Sequence, residues 1–509
     1  MTILSKVYRL LDIMKFNNEW DFRSGASRIL KGPLLPFLMT IVFVCMSGII
    51  LMHYLDIAIW RHDSFEYTPH KSWYVGNLKG EGRWINYFLF DLIKMVPAKI
   101  AAIASLLSLA LFGYLCSYKL FTNRYQAIIL GVSLILLPVV HAQNLWPNIT
   151  MVPSVALLFF YFLSKKVHPL ILFGLAAIFF FGTLSQYYFF IPLIYLSGIN
   201  SSLTGKLRQD VVYVFGRVII PYCFCFIIGF LVANGIVIFE MGESITLGEW
   251  RRPTPANDTD QLLSNFSKVY KRFLQFFTLI FSTSYQYVWV ALVPMLVLSL
   301  NRKSIWIFFV LIIMMLSPFV TTLYHGVIIS QRTLMPTIIP FVIIFLLIPG
   351  LKIKSNLLHL TLCLVLIFPF FKDSSEHLNL FSKIGNYYRT QISQAMTNLP
   401  PQEVDGIAVL MTNQELAKIN TDIIKYTKQN FKWSEQFFAV KRTVEPSLKS
   451  LGYQQISIMN DEKTISQVKA QIKNESRKEP FIVFPVNRPK TYGLILNNSA
   501  LDTVLFMKG

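Results

Sequence analysis

Long apolar runs recur along the first 371 residues of this chain and then stop. A helix needs about 17–25 mostly apolar residues to cross a bilayer. On that measure the runs near 35–60, 98–118, 125–141, 149–164, 169–184, 185–199, 213–239, 284–300, 304–323, 333–349 and 355–371 predict eleven transmembrane helices. The two runs in the 169–199 stretch are both short and could form a broken pair or be drawn differently. Ahead of them, Ile3, Leu4, Val7, Leu10, Leu11 and Met14 recur at helical spacing with Lys6, Arg9 and Lys15 between. That pattern predicts an amphipathic helix lying on the membrane within residues 1–34. The run after it is too long for a signal-peptide core and carries no small-residue cleavage site, so it is expected to be retained.

Polar positions orient these runs. With the N-terminus inside, the cytoplasmic loops hold Lys119 with Arg124, Lys165 with Lys166, Lys206 with Arg208 and Arg217, Arg302 with Lys303, and Lys352 with Lys354. Basic residues gather in cytoplasmic loops, so this orientation is self-consistent. The loops 61–97 and 240–283 and everything from 372 onward then share the opposite face. From 372 to 509 the hydrophobic runs give way to globular patterning. Leu378 to Met396 predicts an amphipathic helix leaving the membrane. Gly406 to Thr412 and Pro480 to Pro485 predict short buried strands, and Gln414 to Lys428 and Thr464 to Lys473 predict helices. The expected architecture is therefore a polytopic α-helical membrane protein, residues 35–371, with a C-terminal α/β domain on the non-cytoplasmic side.

Composition agrees. Of the 509 residues 54% are hydrophobic and only 15% charged, with a mean hydropathy of +0.50, too apolar for a soluble chain of this length. A net charge of +20 would suggest nucleic acid in a soluble protein. Here the charge is dispersed among loops and no recognition motif accompanies it, so nucleic-acid binding is not expected. All five cysteines fall in hydrophobic runs, which leaves neither a disulfide framework nor a zinc site. Phosphate-binding loops, nucleophile elbows, zinc-protease motifs and dinucleotide fingerprints are absent from the sequence.

Candidate chemistry concentrates in the polar loops. Between Trp60 and Trp84 the first loop places Asp63, Glu66, Glu81 and Arg83 among tryptophans and tyrosines at the membrane boundary. A carboxylate there can take a proton from a sugar hydroxyl, and a second can tune it or orient the acceptor. The segment from Trp84 to Val96 is aromatic and apolar and is expected to lie in the interface plane. Arg332 opens a late span, flanked by Thr333 and near His325, well placed to grip a lipid phosphate. Trp250, Arg251, Arg252 and Pro253 could also meet phosphate. Asp258 and Asp260 invite a metal reading, but Pro253, Pro255 and Asn257 make that stretch a turn, so neither metal nor cofactor is expected. Tyr187, Tyr188, Tyr285, Tyr287, Trp146 and Trp289 near span ends read as an interfacial belt. His141 and Gln143, beside Trp146, are polar groups at a span end that could line a cavity.

The order of parts resembles the serotype-converting O-antigen glucosyltransferases of enteric bacteria and their phages, the Gtr type within the GT-C superfamily. The residues that carry the resemblance are His62, Asp63 and Ser64, Trp73, Gly82, Arg83 and Trp84, and Arg332 with Pro336 and Pro340. The architecture covers nearly the whole chain and the motifs about thirty residues. Related proteins often carry paired acids and then Gly-Arg-Ser after the first span; here a single acid, Asp63, precedes Ser64.

The resemblance implies a bacterial inner-membrane enzyme with a cytoplasmic N-terminus and a periplasmic C-terminal domain. It implies undecaprenyl-phosphate-glucose as donor and lipid-linked O-antigen as acceptor, with no cofactor. By the same carry-over Asp63 would be the base, Glu81 a second acid or acceptor-positioning group, and Arg83 and Arg332 the holders of the donor phosphate. Glu66, Arg251 and Arg252 stand as further candidates from the residues themselves. The competing readings are an O-antigen polymerase and a lipid-linked oligosaccharide flippase. A flippase would carry charged residues inside its spans, and nearly all charges here lie outside them. A membrane acyltransferase would want a histidine within a span, for which only His53 and His359 are candidates.

Overall fold

The structure, a computed structural model, describes residues 34–58, 60, 71–121, 124–247, 251–327, 329–352, 357–411, 440–459, 465–468, 481–486 and 490–496. The expected amphipathic helix within 1–34 and the expected helix 414–428 lie outside these residues, as do Asp63 and Glu66.

The helical membrane architecture is present, but not with eleven spans. Among the described residues six helices are long and apolar enough to cross a bilayer: Leu34–Asp56, Ala98–Ser117, Leu207–Met241, Arg302–Val320, Gln331–Leu351 and Leu357–Ala395. Two bent pairs raise the number to eight if each counts as one span. They are Arg124–Leu134 with Pro138–Asn144, bent by 53°, and Thr259–Thr283 with Gln286–Ser299, bent by 109°.

The shortfall has physical causes. Pro138 cannot donate into a continuing helix, and the expected span 125–141 breaks before it. The helices Pro147–Leu163 and Pro169–Gly182 have 17 and 14 residues. At about 1.5 Å per residue they reach roughly 26 and 21 Å, short of a hydrocarbon core about 30 Å thick. The expected span 185–199 is a 3-10 helix, Ser185–Tyr195, followed by the short helix Leu196–Ser202. Gln186 through Ile194 are buried against protein rather than presented to lipid. Hydropathy cannot tell those two apolar surroundings apart.

The helix Leu357–Ala395 joins the two parts of the molecule. The amphipathic stretch expected from Leu378 is its continuation, giving 39 residues or about 58 Å of rod. It is tied to the end of Leu34–Asp56 through His53 Nε2 and Ser375 Oγ at 2.8 Å and through Ser382 Oγ, which donates to the Asp56 carbonyl at 2.9 Å. Beyond it lies a four-stranded sheet in the order β2-β1-β4-β3, with β1 Gly406–Leu410, β2 Ile456–Met459, β3 Phe481–Pro485 and β4 Thr491–Leu496. β1 runs parallel to β2 and β4, and β3 antiparallel to β4. Alternation along β1 puts Ile407 and Val409 in the large core that includes Tyr388 and Ile392 of the long helix. Ala408 and Leu410 join Ile465, Ile482 and Ile495 in a second, smaller cluster.

At one end of the helical body, basic loops meet. Arg302 Nη1 donates to the Gly205 carbonyl at 2.9 Å and Lys303 Nζ to the Asn200 carbonyl at 3.1 Å. A different set of segments (those expected on the opposite face) converges on a cavity.

Candidate functional site

The cavity encloses about 380 Å³. Glu81, Arg83, Arg251 and Arg332 line it, drawn from three segments far apart in sequence.

The first segment turns sharply between its two charges. The helix Val75–Glu81 ends at Gly82, whose left-handed backbone (φ 69°) lets its N–H reach the Leu78 carbonyl at 2.8 Å. A Cβ at this position would lie 2.8 Å from Ile245 Cδ1 and 3.2 Å from Ala233 Cβ, so both the torsion and the space require glycine. The chain therefore reverses within one residue, and Arg83 folds back to pair with the Glu81 carboxylate.

Arg251 arrives on a loop pinned at both ends. On one side the Thr246 N–H donates to the Lys79 carbonyl at 3.1 Å, and the Ile245 N–H to Asn234 Oδ1 at 2.8 Å. On the other, the Thr254 and Ala256 N–H groups donate to the His325 and Tyr324 carbonyls at 2.8 and 2.9 Å. Buried Asn265 locks this junction: its Nδ2 donates to the Thr254 carbonyl at 2.7 Å and its Oδ1 accepts from Thr254 Oγ1 at 2.8 Å. Gly326 (φ 55°) passes so close that a Cβ there would lie 2.2 Å from Asn265 Oδ1. Thus held, Arg251 Nη2 donates to Glu81 Oε1 while Arg83 Nη2 pairs with Oε2. Each carboxylate oxygen has its own guanidinium.

Arg332 comes from a 3-10 turn, Gln331–Leu334, at the head of a span. Its guanidinium carbon stands 4.3 Å from the centroid of the Trp146 ring, a cation–π contact. Burial pushes the Glu81 carboxyl up, but Arg83, Arg251 and Arg332 outweigh it and hold the group below its ordinary range. Glu81 is thus ionised at neutral pH. Among the described residues of the cavity wall, three guanidiniums accompany one carboxylate. His325, also on the wall, is pulled down by burial and is neutral at pH 7.

The remaining wall is apolar, formed in part by Phe181, Phe189, Phe226, Ile227 and Phe230. Ile227 and Phe230 are also exposed on the outer surface of the span Leu207–Met241. A cluster of three guanidiniums therefore sits beside an apolar face that continues toward lipid. An amphiphile with an anionic head matches that arrangement.

Of the candidates read from sequence, Glu81, Arg83, Arg251 and Arg332 come together. Arg252 does not: its own left-handed backbone (φ 47°) leaves the side chain exposed, away from the cavity lining. Asp258 caps the helix Thr259–Thr283, accepting from the Gln261 N–H at 2.7 Å. Trp146 is buried and carries Arg332, where an interfacial belt was expected. Gln143 lines the cavity, whereas His141 is buried against the Tyr54 hydroxyl at 3.0 Å. The segment Trp84 to Val96 forms two short helices, Trp84–Phe88 and Phe90–Ile93, with Phe88, Leu92 and Met95 exposed and Ile85, Phe90 and Ile93 buried. Gln186 was not anticipated, because it lies in a run that reads as a span.

Comparison with known protein families, with curated proteins and with solved structures returns no match to this chain.

Proposed function

We propose that this protein is a membrane glycosyltransferase that takes its sugar from a polyprenyl-phosphate donor and passes it to a hydroxyl of a lipid-linked glycan. The observation that carries this reading is the convergence of Arg83, Arg251 and Arg332 on one cavity whose other wall is apolar. A phosphodiester bearing a sugar on one side and an isoprenoid on the other has this polarity. In the finer form of the proposal, the donor is undecaprenyl-phosphate-glucose and the acceptor is O-antigen on the periplasmic face of a bacterial inner membrane.

The residues divide the work as follows. The acceptor oxygen attacks the anomeric carbon, its proton passes to a carboxylate, and the bond from that carbon to the phosphate oxygen breaks. The lipid phosphate departs with an added negative charge, which the three guanidiniums stabilise. Glu81 is a poor proton acceptor, because its arginine partners favour the ionised form. Its role in this scheme is to hold Arg83 and Arg251 in place. The base falls to Asp63, with Glu66 as the alternative.

Structural analysis of the O-antigen from cells expressing the chain, beside an Asp63→Asn variant at equal level, tests this. A side-branch hexose that disappears in the variant supports transferase and base together. A branch that persists moves the base to Glu66. Absence of any added sugar contradicts the transferase reading. The three arginines would also suit a lipid pyrophosphate, so polymerase action stands second, and a change in chain length without a new branch would favour it.

A further inference from the structure

Two buried amides on the same cavity each keep a polar atom without a hydrogen bond among the described residues. Gln143 comes from the helix Pro138–Asn144 and Gln186 from the 3-10 helix Ser185–Tyr195, and both line the cavity with the arginines. They are 6% and 8% exposed. Gln143 Oε1 and Gln186 Nε2 make no hydrogen bond among the described residues. The hydroxyls around them are different. Thr321 Oγ1 donates to the Ser317 carbonyl at 2.9 Å, Thr322 Oγ1 to the Phe319 carbonyl at 2.8 Å and Thr333 Oγ1 to the Ser330 carbonyl at 2.7 Å. Those hydroxyls spend their one donor on carbonyls of their own segments and keep only acceptor capacity.

A buried amide left unpaired costs stability, and natural chains keep one only where something else compensates. Charge does not explain these two. An anion is met by the charged donors of the arginines, and an amide carries no net charge. An amide presents one acceptor and two donors and can turn about its last torsion, so each matches a group that is itself both donor and acceptor. A sugar hydroxyl is such a group.

We propose that Gln143 and Gln186 form a neutral subsite that reads the hydroxyls of a sugar attached to the phosphate held by the arginines. The inference rests on the glycosyltransferase reading and adds to it the residues that tell a loaded donor from a spent one. A site that hydrogen-bonds a substrate hydroxyl discriminates strongly against the ligand that lacks it. After transfer, the sugar-free lipid phosphate therefore loses these contacts and keeps only the arginines, which favours its release.

The test compares two lipids on the purified full-length protein: undecaprenyl-phosphate-glucose and undecaprenyl phosphate. Gln143→Leu and Gln186→Leu should each weaken the sugar-bearing lipid roughly tenfold or more and leave the sugar-free lipid within about twofold. Arg332→Ala should weaken both. Gln186→Met serves as a second, more flexible replacement. Melting temperatures should be unchanged or raised in the glutamine variants, because an unpaired polar group has been removed. Equal loss on both lipids, no loss on either, or a fall in melting temperature that marks the amides as structural would each overturn the subsite. If the wild-type protein binds neither lipid, the glycosyltransferase reading fails and the subsite fails with it.

Discussion

The Arg332 guanidinium carbon lies 4.3 Å from the centre of the buried Trp146 ring, joining the head of one span to the N-cap of the helix Pro147–Leu163. This contact sets the third guanidinium of the cavity against an aromatic face.

The first prediction follows from that pairing. Trp146→Leu removes the ring but leaves an apolar side chain in its place. A desolvated cation–π contact contributes about 1–2 kcal/mol, so transfer should fall about tenfold, read as kcat/KM for the donor lipid. Trp146→Phe should recover most of the loss. Equal activity in wild type and Trp146→Leu would show that Arg332 does not depend on the ring.

Glu81 gives a pH-dependent signature. Its folded value lies below the ordinary 4.5, so the stability it adds is fully present above that value and is lost as pH falls through the lowered one. Glu81→Gln should therefore melt a few degrees lower than wild type at pH 7, with Arg83 and Arg251 left to repel each other. The gap should narrow below about pH 4 as the wild-type carboxylate is protonated. Differential scanning across pH 3–7 checks this, and a gap that does not change with pH would remove Glu81 from the ion-pair role.

Gly82→Ala should be costly. A side chain at φ 69° with a Cβ 2.8 Å from Ile245 Cδ1 imposes about 1–3 kcal/mol of strain. The expected outcome is a lower melting temperature together with weaker lipid-phosphate binding, since the turn sets Arg83 against Glu81. Wild-type binding in this variant would show that the turn is not needed.

The helix Thr259–Thr283 should lie in the membrane interface. It bends by 109° from its neighbour Gln286–Ser299 and exposes Leu263, Phe266 and Tyr270. Nitroxides at Leu263 and Tyr270 should report headgroup-depth immersion in nanodiscs. Full aqueous exposure at both would contradict that placement.

How far the sequence could be read depended on which physical signal each residue left. β1 and β3 coincide with apolar runs bounded by Gly406 and by Pro480 and Pro485, and those boundaries are local. β2, only four residues long, and β4 left no such mark. Arg332 and the Glu81–Arg83 pair stood out because charge beside a membrane-length apolar run is conspicuous. Arg251 and Arg252 could not be separated, since the backbone turn that sends one inward and the other out has no local signature. Gln186 was hidden for the reason that the span count was too high: an apolar run packed on protein looks the same as one packed on lipid. Trp146 was misread likewise, because an interfacial tryptophan and one that carries an arginine have identical neighbours in sequence.

The most direct measurement is transfer of radiolabelled glucose from undecaprenyl-phosphate-glucose to lipid-linked O-antigen by the purified protein, with Arg332→Ala beside it. The account predicts a singly glucosylated acceptor in the wild type and a loss of roughly a hundredfold in the variant, the scale of one lost transition-state charge partner. No glucosylated product, or transfer that does not depend on Arg332, would contradict it.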